Sequence, residues 1–303
     1  MKHSLLALTF LTGLASAGPV FARCEDVVPQ LRPQNTFAQD IGRDFDTIID
    51  EGWIEFALYE NFAPWSFLKD GKPAGIDVEI GTLIAEDLGV APRFRLVQAD
   101  ETLEGDLRNY VWKGAAVGGR VSDVMLHVPY DSEFACRVEQ AVFTGQYAAE
   151  TLAIGYSLTD YPDPDDIPTP AYFRYDTVAV ENDSISDLYL ASIGRGVVSD
   201  AIHRYPSSDL AVSAMVAGDT MAVMAPLAVI EAGLAVDGTS GFAVHTPPLP
   251  GLVRSTWTIG VAVNQQHRDL GYAVDYAIEK ALDDGRIPAI FAAHGLSFLP
   301  PER

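Results

Sequence analysis

The chain has 303 residues, 48% of them hydrophobic, with Gly and Pro dispersed through it; it can bury one large α/β body or two lobes, and a disordered chain is excluded. Its formal net charge at pH 7 is −22, scattered along the sequence rather than gathered in a tail. Such a surface favours solubility and argues against a nucleic-acid partner or an anionic membrane surface, both of which need basic patches.

The first residues read as an export signal. Met1-Lys2-His3 is a short basic start, Leu5 to Leu14 is mostly apolar, and Ala15-Ser16-Ala17 or Val20-Phe21-Ala22 offers small residues for cleavage. Residues 1–22 are therefore expected to be a signal peptide, cleaved near Ala17 or Ala22, with the mature chain free in the periplasm. The plainer alternative is a buried first helix. The apolar run is too short to span a bilayer, and no later stretch is long enough. Cys24 follows Arg23, where a lipid-attachment motif needs a small residue. Paired with Cys136, the only other cysteine, it would close a loop of about 110 residues and stabilise by about 4–5 kcal/mol; spacing alone leaves that pairing open. No second Cys or His stands at ligand spacing from either cysteine, so neither a metal nor a resident cofactor is expected.

Next along the chain, Asp44 to Glu51 reads as a short helix stopped by Gly52, and Trp53 to Leu58 alternates as a strand. A loop with Asn61, Ala63 and Pro64 and the turn Lys69-Asp70-Gly71-Lys72 follow. Ile76, Ile80, Leu83, Ile84 and Leu88 repeat at helical spacing up to Gly89, and Asp77 near that helix start reads as a cap. A strand over 93–98, a helix over 101–113 and a strand over 122–128 complete a β-α-β-α-β order, which implies a parallel sheet covered by helices.

Ala148 to Thr151 reads as a link to a second series. That series holds a strand at 177–180, a helix opening near Ser184, a helix at 210–217, a strand at 222–224 and a helix at 227–234, with Pro-rich loops at 161–170 and 246–250. A strand at 259–263, a helix at 268–282 and His294-Gly295-Leu296 close the chain. The division expected is residues 23–148 for a first lobe, 149–258 for a second, and 259–303 returning to pack on the first. A cleft between two lobes is a favoured ligand position.

Several local words, in order from about Asp44 to Leu296, carry a resemblance. They are Tyr59-Glu60-Asn61-Phe62-Ala63-Pro64-Trp65, Gly71-Lys72-Pro73-Ala74-Gly75-Ile76-Asp77-Val78-Glu79-Ile80, and Ile84 to Gly89. Arg137 standing six residues before Phe143-Thr144, with Tyr147 behind, and Asp284-Gly285 before His294-Gly295-Leu296 complete them. With these words the chain resembles the bacterial extracellular solute-binding proteins of family 3, the polar amino-acid type. The resemblance implies an α/β fold of the type II periplasmic-binding-protein kind: two α/β lobes, a hinge and an interlobe cleft. It also implies a monomer, not an enzyme, that captures a small carboxylated ligand, an organic or amino acid, for an ABC permease. The stretches Asp106 to Gly114 and Asp123 to Asp131 are similar to a narrower subgroup associated with quinoprotein alcohol dehydrogenases. That likeness implies an accessory role beside a periplasmic dehydrogenase, with the quinone PQQ as a ligand rather than a cofactor.

The resemblance also nominates site residues. An arginine at the Arg137 position would grip a ligand carboxylate, since a guanidinium presents a planar, permanently charged fork. The plainer reading is a surface arginine paired with Glu133 or Glu139. Phe62 and Trp65 stand where aromatics face the ligand, although Trp65 fits the lobe core below the loop equally well. Ser132 would add a hydrogen bond beside Arg137. Ser184 opens a helix, where free N–H groups favour an anion, and is also a plain N-cap. His127 and Tyr130 close the third strand at the carboxyl edge, where α/β sheets bind ligands, and a lone His is also often a satisfied structural group. Two departures from the family pattern stand out. The spacing from Asp123 to Arg137 is two residues longer than usual, and Pro226 occupies the place of the carboxylate that would meet an α-ammonium group. The second departure favours a carboxylated, planar ligand over an ordinary α-amino acid. An enzyme of the cyclohexadienyl dehydratase kind shares the fold, but no nucleophile elbow, metal-ligand spacing or phosphate loop is found.

Overall fold

The computed structural model describes residues 41–116, 119–237 and 239–302; the expected signal segment and Cys24 lie outside them. Helix α1 (Phe45–Glu51) starts where Asp44 accepts the Thr47 N–H at 2.8 Å and ends at Gly52 in the left-handed region. Strand β1 (Trp53–Tyr59) leads to a hairpin, β2 (Phe67–Lys69) and β3 (Lys72–Ala74), whose turn is Asp70-Gly71. Helix α2 (Ile76–Leu88), strand β4 (Ala91–Val97) and helix α3 (Leu103–Leu107) follow, and α3 widens into a π turn over Arg108–Trp112. Strand β5 (Val124–Pro129), helix α4 (Ser132–Arg137) and strand β6 (Ala141–Ser157) come next.

Beyond β6 lie β7 (Val178–Glu181), α5 (Ile185–Ser192), β8 (Ile202–Tyr205), α6 (Ser208–Ala217), β9 (Ala222–Pro226), α7 (Leu227–Asp237) and β10 (Phe242–His245). The chain then returns through β11 (Thr256–Asn264) to α8 (Arg268–Asp283) and α9 (Arg286–Ala293).

One sheet runs β4-β1-β5-β11-β6-β9-β7-β8, with β10 beside β6. The three strands of the first series are parallel, as their order implies, and the sheet as a whole is mixed. β1 is parallel to β4 and β5, but β11 lies antiparallel between β5 and β6 because it brings the chain back in the opposite sense. The residues read as a link, Ala148 to Thr151, lie inside the 17-residue β6. They form an unbroken ladder with Thr256–Ile259 instead of a loop, so their backbone groups are paired where a linker would leave them to water.

Hydrophobic packing divides along this sheet. On one face of the first strands, Ile54, Phe56 and Leu58 pack with Ile80, Ile84, Val274, Ile278 and Phe291 from α2, α8 and α9. On the other face, Ala57, Met125 and Val128 meet Leu107 and Val111. At the far end Ile154, Val178, Val180 and Met224 pack with Leu190 of α5, and Ala153, Val223 and Ala225 with Val212, Met215 and Ile230. Each half thus has helices on both sheet faces and its own interior. Among the described residues β6 and β11 run through both halves, Trp257 touches the cores of both, and Ala228 and Ala232 of α7 reach across to the first core. The C-terminal segment lies along this junction: Leu299 accepts from Ala149 N at 2.9 Å, Glu302 N donates to Thr258 Oγ1 at 3.0 Å, and Ser297 donates twice to Glu231 of α7. Among the described residues, no helix is long and apolar enough to cross a membrane.

Candidate functional site

The site residues are set by two irregularities that meet on β11. Gly260 pairs with Val128 and Ala262 with Met125, so β5 carries one extra residue there, and His127 takes a φ of +57°. On the other side Ile259 pairs with Ala148 and Val261 with Thr144, so β6 carries two extra residues, with Gly145 at φ +54°. Gly260 permits this: a Cβ on it would lie 2.8 Å from the Thr144 carbonyl oxygen and 3.0 Å from Gln146 Cα. Bulges re-aim side chains, and a non-glycine residue held at positive φ marks a position that surrounding contacts over-determine.

Those contacts are explicit. His127 N donates to Tyr147 Oη at 3.0 Å, and Tyr147 donates onward to Asp77 Oδ1 at 2.7 Å. His127 Nδ1 lies 3.2 Å from Asp77 Oδ2, and its Nε2 lies 3.5 Å from Glu150 Oε2. All four residues are buried. Burial opposes protonation of the imidazole, but the carboxylates of Asp77 and Glu150 outweigh it and push the His127 pKa up to about 9. The ring is therefore an imidazolium at neutral pH. Burial and the neighbouring Asp77 hold the Tyr147 phenol well above its ordinary range.

Two aromatic rings press edgewise on His127, Phe62 at 4.8 Å and Trp65 at 4.5 Å between centroids. Trp65 is fully buried, with Phe291 on its other side, which places it in the core beneath the loop. Phe62 is half-buried. Asp77 does not cap α2. The N-cap is Gly75, and the Asp77 side chain turns inward to Tyr147 and His127, because the helix start is tucked against the Trp65 backbone.

The other nominated residues stand apart from this cluster. Ser132 is exposed in the first turn of α4, where Asp131 supplies the cap to Phe134 N at 2.7 Å. Arg137 is exposed in the last turn of α4, its Cζ 5.8 Å from the Phe134 ring. Among the described residues it pairs with no carboxylate, neither Glu133 nor Glu139. Tyr130 is half-buried, and its N–H bonds the Thr258 carbonyl at 2.8 Å, tying the end of β5 to β11 at the junction. Beside it Asp131 pairs with Arg254 at 3.2 Å. In the second half, Ser184 caps α5 by accepting from Asp187 N at 3.2 Å. Asp187 accepts from Asp183 N and pairs with Arg204 at 2.8 Å, so the positive end of this helix already carries its own carboxylate. Cys136 is disulfide-bonded.

The structure therefore brings Phe62, Trp65 and His127 together and leaves Ser132, Arg137 and Ser184 outside. It adds Asp77, Tyr147 and Glu150, which sequence reasoning did not nominate. One signal for Glu150 was present: between Tyr147 and Tyr156 it is the single charged residue in an otherwise uncharged run.

A cavity of about 510 Å³ opens at the opposite edge, by the start of β1, lined by Arg43, Trp53, Glu55, Arg120 and Asp123 among others. Two arginines and two acids in it pair with each other or with Glu51. Arg43 pairs with Asp123 and Glu51, Arg120 bonds Glu55 at 2.5 and 2.7 Å, and Trp53 lies between the Arg43 and Arg93 guanidinium groups. That edge carries the amino ends of the parallel strands, away from the ligand-binding edge of such sheets.

Residues 54–111 match the sequence profile of bacterial extracellular solute-binding proteins, family 3. The matched stretch holds β1, the aromatic loop, α2 and the π turn. No curated protein matches the sequence. Among solved structures, an ancestral cationic amino acid solute-binding protein superposes with a TM-score of 0.64 at 17% identity, over 82% of this chain and 97% of its own. A substrate-binding protein of an ABC uptake transporter from Streptococcus pneumoniae, with bound histidine, superposes at 0.61 and 16% identity, over 85% and 98%. An amino acid ABC transporter substrate-binding protein from the same organism, bound to L-arginine, gives 0.58 and 20%, over 84% and 98%. The fold is the α/β type II periplasmic-binding-protein fold.

Proposed function

We propose that the chain is a solute-binding protein that traps a small polar ligand between its two halves, outside the cytoplasmic membrane, and delivers it to an ABC-type importer. One observation carries this reading. Among the described residues the two halves have largely separate cores, joined by β6 and β11 and by the contact of Ala228 and Ala232 of α7 with the first core, and Glu150 of the buried cluster stands on those crossing strands. Two strands held by ladder bonds allow the halves to turn about the crossing as rigid bodies, the movement by which a ligand is enclosed. Ligands named for the structural neighbours, arginine and histidine, supply the first candidates.

In this reading the half-buried Phe62 ring and Tyr130 line the approach, and His127 forms the cationic floor beneath them. Arg137 joins the site as an anchor for a ligand carboxylate when closure turns α4 toward the groove.

The test is a thermal-shift screen of amino acids, organic acids and PQQ, followed by small-angle scattering with the best hit. A ligand that binds only the folded form raises the melting temperature, and closure reduces the radius of gyration. Arg137→Ala should remove most of the shift for a carboxylated ligand. A screen with no shift in any class, together with unchanged scattering, would refute the capture reading.

A further inference from the structure

The buried cluster at the carboxyl edge is unbalanced. Two carboxylates, Asp77 and Glu150, face one imidazolium, and no other cationic side chain of the described residues bonds to either of them. Tyr147 donates a hydrogen bond to Asp77 Oδ1; Asp77 Oδ2 accepts no hydrogen bond from a described residue but has His127 Nδ1 against it at 3.2 Å, and Glu150 Oε2 has His127 Nε2 at 3.5 Å. Glu150 Oε1 has neither: it is buried and accepts no hydrogen bond from any described residue, on a side chain only 6% exposed. Leaving a carboxylate oxygen buried without a donor costs on the order of 1–3 kcal/mol or more, so a group supplied from outside that fills this position is favoured.

The place of Glu150 in the fold says where that group comes from. Glu150 pairs with Trp257 on the crossing strands, at the level where Trp257 touches both cores. Its carboxylate reaches from there to His127 at the carboxyl edge of the first half, beside the half-buried Phe62 ring. On the capture reading, a molecule held between the halves meets this junction.

We infer that Glu150 is a specificity-determining residue of the capture site, its unpartnered carboxylate oxygen receiving a cationic nitrogen, an ammonium or guanidinium group, of the bound solute. This rests on the capture reading and narrows it to ligands that carry a positive charge. The Phe62 ring beside the position adds a surface that suits a cation. The imidazolium of His127 keeps the other carboxylate oxygen in place and prevents the same cation from settling against Asp77.

Calorimetric titration of the full chain with three probes tests it: L-arginine, which carries both charges, agmatine, which keeps the cationic groups without the carboxylate, and succinate, which has carboxylates alone. Arginine and agmatine should bind the wild-type chain and succinate should not. Glu150→Gln should weaken both cations at least tenfold at a temperature where circular dichroism shows the variant folded, since its other oxygen also loses the charged contact with His127. Glu150→Asp, which keeps the charge, should retain part of the affinity. Unchanged affinity of Glu150→Gln for the cations, or binding confined to succinate, would overturn the role of Glu150 and leave the capture reading standing. Silence from all three probes and from the wider screen would remove both.

Discussion

Raising the pH should loosen the Asp77–His127–Glu150 cluster, and the size of the effect follows from its burial. The imidazole goes from an ordinary 6.5 in the unfolded chain to about 9 in the folded one. A group whose pKa rises on folding stabilises the protein fully below its unfolded value and loses that contribution as pH climbs through the folded value. The gap corresponds to at most about 3 kcal/mol, present below about pH 6.5 and gone above about pH 9. Side-chain exposure of 6% means that solvent screening removes little of it. At roughly 2–4 °C per kcal/mol for a chain of this size, the melting temperature should fall by about 6–12 °C across that window. Urea unfolding at several pH values reads the loss, and an NMR titration of the imidazole signals, with His127→Gln used for assignment, reads the group itself. An imidazole titrating at or below its ordinary value would refute the argument, because the two carboxylates would then not outweigh burial.

Two further outcomes follow from the same region. Tyr147→Phe keeps the ring in the core but strips the acceptor of His127 N–H and the donor to Asp77; urea unfolding should show a loss of about 1–3 kcal/mol, and the imidazole should titrate higher as Asp77 loses a competing donor. Gly260→Ala drives a methyl group toward the Thr144 carbonyl and the Gln146 backbone, where β6 has no room to move; about 1–3 kcal/mol of stability should be lost by the same measurement.

Much of the scaffold was legible because local signals agreed with the fold. The apolar spacing of Ile76, Ile80, Ile84 and Leu88 and the stop at Gly89 define α2, and Asp44 and Gly52 bound α1 as the sequence suggests. Failures have definite causes. β6 is buried along most of its length and shows no alternation, so its centre reads as a link rather than as part of a strand. α9 is hidden by Pro288, which breaks a helix interior but is tolerated in a first turn. At the site, the position of His127 at the carboxyl edge of a strand pointed to it. Its positive φ and its contact with Glu150 depend on bulges in two different strands, and no local pattern records those. Arg137 stands in the last turn of α4, away from the cluster, because a spacing that matches a motif does not fix which way a short helix turns its last residue.

The crossing strands also decide how this molecule can be taken apart. Residues between Thr151 and Thr256 make a single excursion that leaves and re-enters by one doorway, where the two threonine hydroxyl oxygens are 2.8 Å apart. Splicing the chain there with a two-residue β-turn would excise the whole excursion as a cassette and turn β6 and β11 into an ordinary hairpin. Every neighbour of β4, β1 and β5 in the remaining sheet would be retained.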